Sequence, residues 1–389
     1  MQNIGIIAEF NPLHTGHKYL LDKVRGAGNA VTVVMSGNFV QRGDAAVYPK
    51  SYRAAAAIKC GADLVLDLPT PYAMSTAQNF AFGAVSLLKN AGVDGICFGS
   101  ECGDIELLKQ TAEILKSAEF QKAVNEKLGE GETFAKIRCD AIKKYGDAYA
   151  DILSSPNDTL GVEYIYAADR LGFATQFDCI RRIGAEHDAM DTDITVSASL
   201  IRNNIENKDF LKRYIPSNAL EIFENAPVSD IKRLDTAILA VLRTKTAEEL
   251  KNLPDISEGI ENRFADAIKK AAGLDELYSL IKTKRYTLAR VRRLVLSAFL
   301  GIDNSFFLSR PSYMRVLGFS KKGEEILREI TRTSPVPIIL TAADANRLDN
   351  VALKLWGTEC RASDLYGLSL NQPRECGQEY FHKIIKGEC

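Results

Sequence analysis

Four near-continuous apolar runs, at 3–8, 30–36, 63–68 and 94–99, alternate with helical spacing at 16–27, 49–60 and 75–91. Strands that read as unbroken apolar runs are those buried on both faces, as in parallel sheets. The alternation of strand and helix predicts an α/β domain built on a doubly wound parallel sheet. In such sheets ligands sit beyond the carboxyl ends of the strands. Those ends carry Glu9 to His17, Ser36-Gly37-Asn38, Asp67 and Phe98-Gly99-Ser100.

The first end says most about chemistry. Only four histidines occur in 389 residues, and two stand in His14-Thr15-Gly16-His17, shortly after Ile4-Gly5-Ile6-Ile7 and Asn11-Pro12. A loop entering a helix offers unpaired backbone N–H groups to an anion. Gly16 has no Cβ and lets phosphate oxygens come close. His14 and His17 are three apart, so a helix starting near Thr15 projects both toward one point. Their N–H groups can donate to charge developing on phosphoryl oxygens. Two surface histidines are the plain alternative, and the strand, turn and helix around them argue against it. Strand, Asn-Pro turn and H-x-G-H together are the phosphate-binding signature of adenylyl-transferring, Rossmann-like folds. The implied reaction is attack on the α-phosphate of a nucleoside triphosphate, with pyrophosphate leaving. No G-x-x-x-x-G-K-[ST] is present, so a P-loop is not expected. Gly26 and Gly28 precede a strand and lack the third glycine of a dinucleotide fingerprint.

A second constellation is Ser197-Ala198-Ser199-Leu200-Ile201-Arg202. Its serines can cap a helix, and Arg202 near the first turn can hold outer phosphates. The alternative is a simple capped helix with a solvated arginine. Arg181-Arg182 closes a strand candidate near 175–183, and adjacent strand residues face opposite sides, so one of the two points into the site. Lys50 either reaches a phosphate or is solvated. After Pro216 the pattern is mostly helical, which predicts a catalytic domain over 1–205 and a mainly helical domain over 206–389.

The net charge of −1 excludes a globally basic nucleic-acid coat, so any such binding needs a local patch. The stretch 282–293 supplies one, with Lys282, Lys284, Arg285, Arg290, Arg292 and Arg293 and no acid. Leu288, Val291 and Val295 give it an apolar stripe. It either packs as a basic amphipathic helix or lays its charge along RNA, and the imbalance favours RNA. Lys321-Lys322 are candidates to extend it. No apolar run approaches the ~20 residues of a membrane span, and the chain opens on a core strand rather than a basic leader. Eight cysteines form no C-x-x-C and no zinc-like spacing, which predicts free thiols in a reducing cytosol and no resident metal.

Gly5-Ile6-Ile7-Ala8-Glu9-Phe10-Asn11-Pro12-Leu13-His14-Thr15-Gly16-His17, Ser36-Gly37-Asn38-Phe39-Val40-Gln41-Arg42-Gly43, Phe98-Gly99-Ser100-Glu101, Ser155-Pro156-Asn157 and Ile180-Arg181-Arg182 resemble the bacterial tRNA(Met) cytidine acetate ligase family. The match in order and rough spacing covers most of 1–205. The second half fits more by length and its Arg-rich helix. The resemblance implies a nucleotidyltransferase-type sheet and an ATP-dependent ligase. Acetate and ATP would give acetyladenylate and pyrophosphate, and the acetyl group would pass to N4 of the wobble cytidine of elongator tRNA(Met). It implies ATP contacts at residues 7–17 and at Gly99, Asn157 and Arg182, with His14, His17 and Arg182 catalytic. Magnesium would accompany the triphosphate, the setting would be cytoplasmic, and no protein partner is implied. Ala198 departs from the I-S-S-T-x-I-R pattern of related enzymes. Two other readings are a plain adenylyltransferase on a small phosphorylated acceptor and a non-catalytic, nucleotide-regulated RNA-binding protein.

Overall fold

The computed structural model describes residues 1–128, 132–182, 196–256 and 259–387. Its strands are β1 (Asn3–Ala8), β2 (Ala30–Ser36), β3 (Phe39–Val40), β4 (Asp44–Ala45), β5 (Leu64–Leu68), β6 (Gly95–Ser100), β7 (Gln176–Arg181), β8 (Met314–Phe319), β9 (Ile338–Ile339) and β10 (Ile385–Lys386). The main sheet runs β10-β8-β5-β2-β1-β6-β7, with β9 also beside β8; β3 and β4 form a separate ribbon. Within the main sheet every pairing is parallel except β5 with β8.

Eight helices frame the site: α1 (Thr15–Gly26), α2 (Lys50–Lys59), α3 (Ala77–Asn90), α4 (Pro156–Arg170), α5 (Ala198–Asn203), α6 (Leu288–Leu300), α7 (Asn350–Gly367) and α8 (Gln378–Phe381). The four expected strands and the helices between them lie within a residue or two of their expected bounds. All seven residues of β2 are buried. Alternate residues serve two cores, as the strand period of two requires. Ile6, Val31, Val33, Met35 and Val65 pack with Leu21, Val24, Ala54 and Ala57 of α1 and α2. Ile7, Val34, Leu64 and Leu66 pack with Ala81, Leu88 and Val162 of α3 and α4 on the other face. At Gly161 an added Cβ would lie 2.3 Å from the Phe98 ring, so only glycine lets α4 settle so closely on β6.

From β1 the chain winds outward through β2 and β5, then returns to the other side for β6 and β7. The reversal opens a crevice between the carboxyl ends of β1 and β6, where doubly wound sheets bind ligands.

The chain beyond 206 does not stay outside this sheet. Met314–Phe319 enters it as β8, antiparallel to β5, and brings β9 and β10 with it. The sequence around Met314-Arg315-Val316-Leu317 reads as helical only because its neighbours are helical; six residues are too short for periodicity to separate the two states. Since β8 runs opposite to β5, Phe319 lies against Leu64 at the start of β5. Lys321 and Lys322 follow at that end of the sheet, away from the strands' carboxyl ends, so they do not extend the patch at 282–293.

Candidate active site

The turn after β1 is held by buried polar contacts. Phe10 has φ +46° and the Asn11–Pro12 bond is cis. Arg53, fully buried in α2, donates to the carbonyls of Glu9 (2.6 Å), Tyr48 (2.9 Å), Ser36 (3.0 Å) and Gly37. One guanidinium thereby satisfies the carbonyls leaving β1 and β2, which burial would otherwise orphan. Asn11 Oδ1 accepts the Val47 N–H at 2.8 Å, and the Asn11 carbonyl accepts Arg202 Nη1 at 2.8 Å.

His14 is the N-cap of α1, and the two histidines close a reciprocal capping box. His14 Nδ1 accepts the Gly16 N–H at 3.1 Å, and His17 Nδ1 accepts the His14 N–H at 3.3 Å. The rings stack at 3.8 Å and 29°, with Phe10 edge-on to His17 at 5.0 Å. The Gly16 N–H is therefore committed to His14, so it is not one of the unpaired helix-entry donors. Burial, aided by Arg182, pushes His14 down to about 4. Burial, then His14 and Arg182, hold His17 well below its ordinary value. Both rings are neutral at pH 7, and with each Nδ1 accepting, each Nε2 carries the hydrogen. The result is two adjacent, uncharged N–H donors that need no ionisation to meet an anion.

These donors line a cavity of about 600 Å³. Of the residues expected to contact ATP, Ile7, Ala8, Glu9, Phe10, Asn11, His14, Gly16, His17, Gly99, Asn157 and Arg182 line it. Pro12, Leu13 and Thr15 do not, and Leu13 is fully buried in the core. Arg181 and Arg182 both line the cavity, although strand geometry led us to expect one. Arg182 lies just past β7, where its N–H donates to the Ser100 carbonyl at 2.9 Å, so strict alternation no longer applies. Asn157 donates its side-chain amide to Glu101, whose carboxylate also accepts the Asp158 N–H at 2.9 Å and caps α4. Ser197 caps α5 through the Leu200 N–H at 3.2 Å, and Arg202 Nη2 donates to Ser199 Oγ at 3.0 Å. Ser197 both caps α5 and, with Arg202, lines the cavity, so the cap leaves room for the phosphate role expected of 197–202.

Sequence reasoning passed over Gln41 and Arg42, which line the cavity from the β3–β4 ribbon. Their only signal is the Ser36-to-Gly43 motif between a strand and a helix. Lys50 is neither solvated nor at a phosphate. Its Nζ is buried among Asp67 Oδ2 (2.6 Å), Glu359 Oε1 (2.9 Å) and Glu379 Oε1 (2.6 Å). Glu359 and Glu379, from α7 and α8, are some 300 residues distant in sequence, so no local pattern announces them.

The basic stretch divides. Lys282, Lys284 and Arg285 are exposed. Arg290 and Arg293 are half-buried and share the single carboxylate of Asp255, with Arg293 Nη2 at 2.9 Å, so one of their two charges is offset. Arg292 lies over the Tyr278 ring and 4.0 Å from Asp44. None of the six lines the cavity. Gly43 (φ +72°) lies flush against the second turn of α6: an added Cβ would be 2.6 Å from the Arg293 nitrogen. The ribbon carrying Gln41 and Arg42 therefore abuts the basic helix.

A doubly wound sheet with H-x-G-H at its switch point, facing a cation-rich cavity, defines a nucleotidyl-transferring α/β enzyme. The family model of the HIGH Nucleotidyl Transferase matches residues 1–380. The chain belongs to the tRNA(Met) cytidine acetate ligases within that class. It is 39% identical to the tRNA(Met) cytidine acetate ligase of Caldanaerobacter subterraneus subsp. tengcongensis, over 99% of this chain and 100% of that one. It is 36% identical to the Clostridium kluyveri protein of that name, over 92% of this chain and 94% of that one. The crystal structure of Thermotoga maritima TmcAL bound with alpha-thio ATP superposes with TM-score 0.90 at 30% identity, covering 99% of this chain and 100% of that one. Its apo form gives 0.91 at 31%.

Proposed function

We propose that this chain activates acetate with ATP and transfers the acetyl group to N4 of the wobble cytidine of elongator tRNA(Met). The observation that carries the reading is the stacked pair His14 and His17, two neutral N–H donors beside Arg182 and Arg202 at the switch point of the sheet. An acetate oxygen attacks the α-phosphorus, the bond to the β-phosphate oxygen breaks, and pyrophosphate leaves. Charge grows on the phosphoryl oxygens as this happens. Positioned donors and guanidiniums stabilise that charge in the transition state without a covalent step. Arg42, Arg181, Arg182 and Arg202 offset a triphosphate that would otherwise repel the incoming carboxylate.

Among the described residues no three His, Cys, Asp or Glu side chains gather into a metal cage. Magnesium belongs in this reading to the nucleotide, held by phosphate oxygens and water as it commonly is in phosphoryl-transfer sites. Lys282, Lys284 and Arg285 form the tRNA-facing surface, within the helical part of 206–389. Among the described residues no helix is long and apolar enough to cross a membrane, and a tRNA substrate places the work in the cytoplasm.

The test is exchange of labelled pyrophosphate into ATP. The reading requires exchange that depends on acetate and proceeds without tRNA, followed by mass-spectrometric detection of N4-acetylcytidine once tRNA is added. Exchange indifferent to acetate would end it.

A further inference from the structure

Transfer of the acetyl group must shed a proton, and little in the cavity can take it. The exocyclic amine of cytosine is a weak nucleophile, and after attack its nitrogen must lose a hydrogen. The two histidines are poor acceptors, because each Nδ1 already receives a backbone N–H and each Nε2 bears the hydrogen. Arginines have no acceptor lone pair. Tyr164 is held above its ordinary range by burial. Among the described lining residues one carboxylate remains, that of Glu9 at the end of β1.

Glu9 is an odd companion for a triphosphate, since a carboxylate repels phosphate oxygens. Its Oε1 accepts the Gln41 N–H at 2.8 Å, and among the described residues no other hydrogen bond engages its side chain. Oε2 is left for a donor that arrives in the cavity. The charged groups that face Glu9 are Arg42 from the ribbon, Arg53 from α2 and Arg202 from α5, with the Tyr164 hydroxyl of α4 beyond them. The arginines favour the ionised carboxylate, and the Gln41 N–H engages Oε1.

We propose that Glu9 is the general base of the acetyl-transfer step, accepting the N4 amine of the target cytosine and removing its proton as that nitrogen attacks the acetyl carbonyl. The N4–C bond forms, the bond from the acetyl carbon to the phosphate oxygen breaks, AMP leaves with the electron pair, and the proton passes to Glu9 Oε2. The same acceptor discriminates cytidine from uridine, which presents a carbonyl at that position and would face the carboxylate acceptor to acceptor. Burial raises Glu9 above an ordinary glutamate, the Gln41 N–H and the arginines pulling the other way, which makes it a better base than a solvated carboxylate.

This inference rests on the acetate-ligase reading above, and the experiment separates the two. Wild-type exchange that ignores acetate would fail the reading itself; the inference is judged on Glu9→Gln against wild type. Glutamine keeps an acceptor for the Gln41 N–H and cannot take a proton. Single-turnover transfer from preformed acetyladenylate to a tRNA transcript should fall about 100-fold or more, roughly 30-fold or more beyond any fall in acetate-dependent exchange. Parallel loss of both steps, or transfer within a few-fold of wild type, overturns it. A second readout does not depend on the variant folding. In the wild type, transfer should decline on acidification along one carboxylate limb lying above the ordinary glutamate value. A profile with no acid limb above the ordinary glutamate value overturns the proposal.

Discussion

At the scale of single residues, the pair His14 and His17 shows how one side chain serves fold and chemistry together. Each imidazole caps α1 with one nitrogen, and both residues line the cavity. The cap sets the tautomer, and burial sets the charge. A pH dependence of stability follows. His14 titrates at about 4 in the folded chain and near 6.5 when unfolded. Between those values the unfolded chain binds more protons, so this stability is whole above about pH 6.5 and drains away as the pH falls toward 4. His14→Asn retains a capping acceptor without the titration. Its urea midpoint should therefore drop less than the wild-type midpoint between about pH 7 and pH 5; equal drops would refute the buried neutral state. Lys50 teaches the complementary lesson, because nothing near it in sequence hints at its three carboxylate partners. Burial raises Asp67, with Lys50 opposing, and removing the lysine leaves unmatched buried charge. Lys50→Met should cost about 3–5 kcal/mol in denaturant unfolding. A loss below about 1 kcal/mol would mean that the cluster is wet or already neutral.

At the scale of elements, β1, β2, β5 and β6 were legible because continuous apolar runs leave few other structures open. The basic stretch was legible as a helix only from Leu288 onward, since 282–287 precede it, and only partly as a surface. Of its expected apolar stripe Val291 and Val295 dock, fully buried together with Leu294, while Leu288 at the start of the helix is exposed. Its charges sort by position: those before the helix reach solvent, while Arg290 and Arg293 turn back to Asp255. Neutralising Lys282, Lys284 and Arg285 should weaken tRNA binding about tenfold or more. The slope of log affinity against log salt should flatten by about 0.7–0.9 for each phosphate that is no longer neutralised. Replacing Arg293 should instead lower stability by about 1–2 kcal/mol, because its pairing with Asp255 disappears, and leave the salt slope nearly intact. Filter binding at several salt concentrations distinguishes these outcomes. A slope that is insensitive to the first set would move the tRNA surface elsewhere.

At the scale of the molecule, the two halves share one sheet. β8 from the C-terminal half pairs with β5 from the N-terminal half, and Glu359 and Glu379 close around Lys50. The chain should therefore unfold in one transition. Its single tryptophan, Trp356, lies in α7 beside Tyr313 and Arg315 and reports on the C-terminal half. Its fluorescence should lose its native signal at the same urea concentration as far-UV ellipticity. Two separated midpoints would argue for independent domains divided near 205. What the order of residues determined alone was local: the buried parallel strands, the helices between them, and the H-x-G-H turn with its implied chemistry, because hydrophobic period and capping act over a few residues. What only the tertiary structure decided was partnership. That includes the return of β8 to the sheet, the carboxylates that claim Lys50, the aspartate that claims two arginines, and the arginines that gather around Glu9. Those depend on which distant side chains share a low-dielectric space, and chain separation carries no record of that.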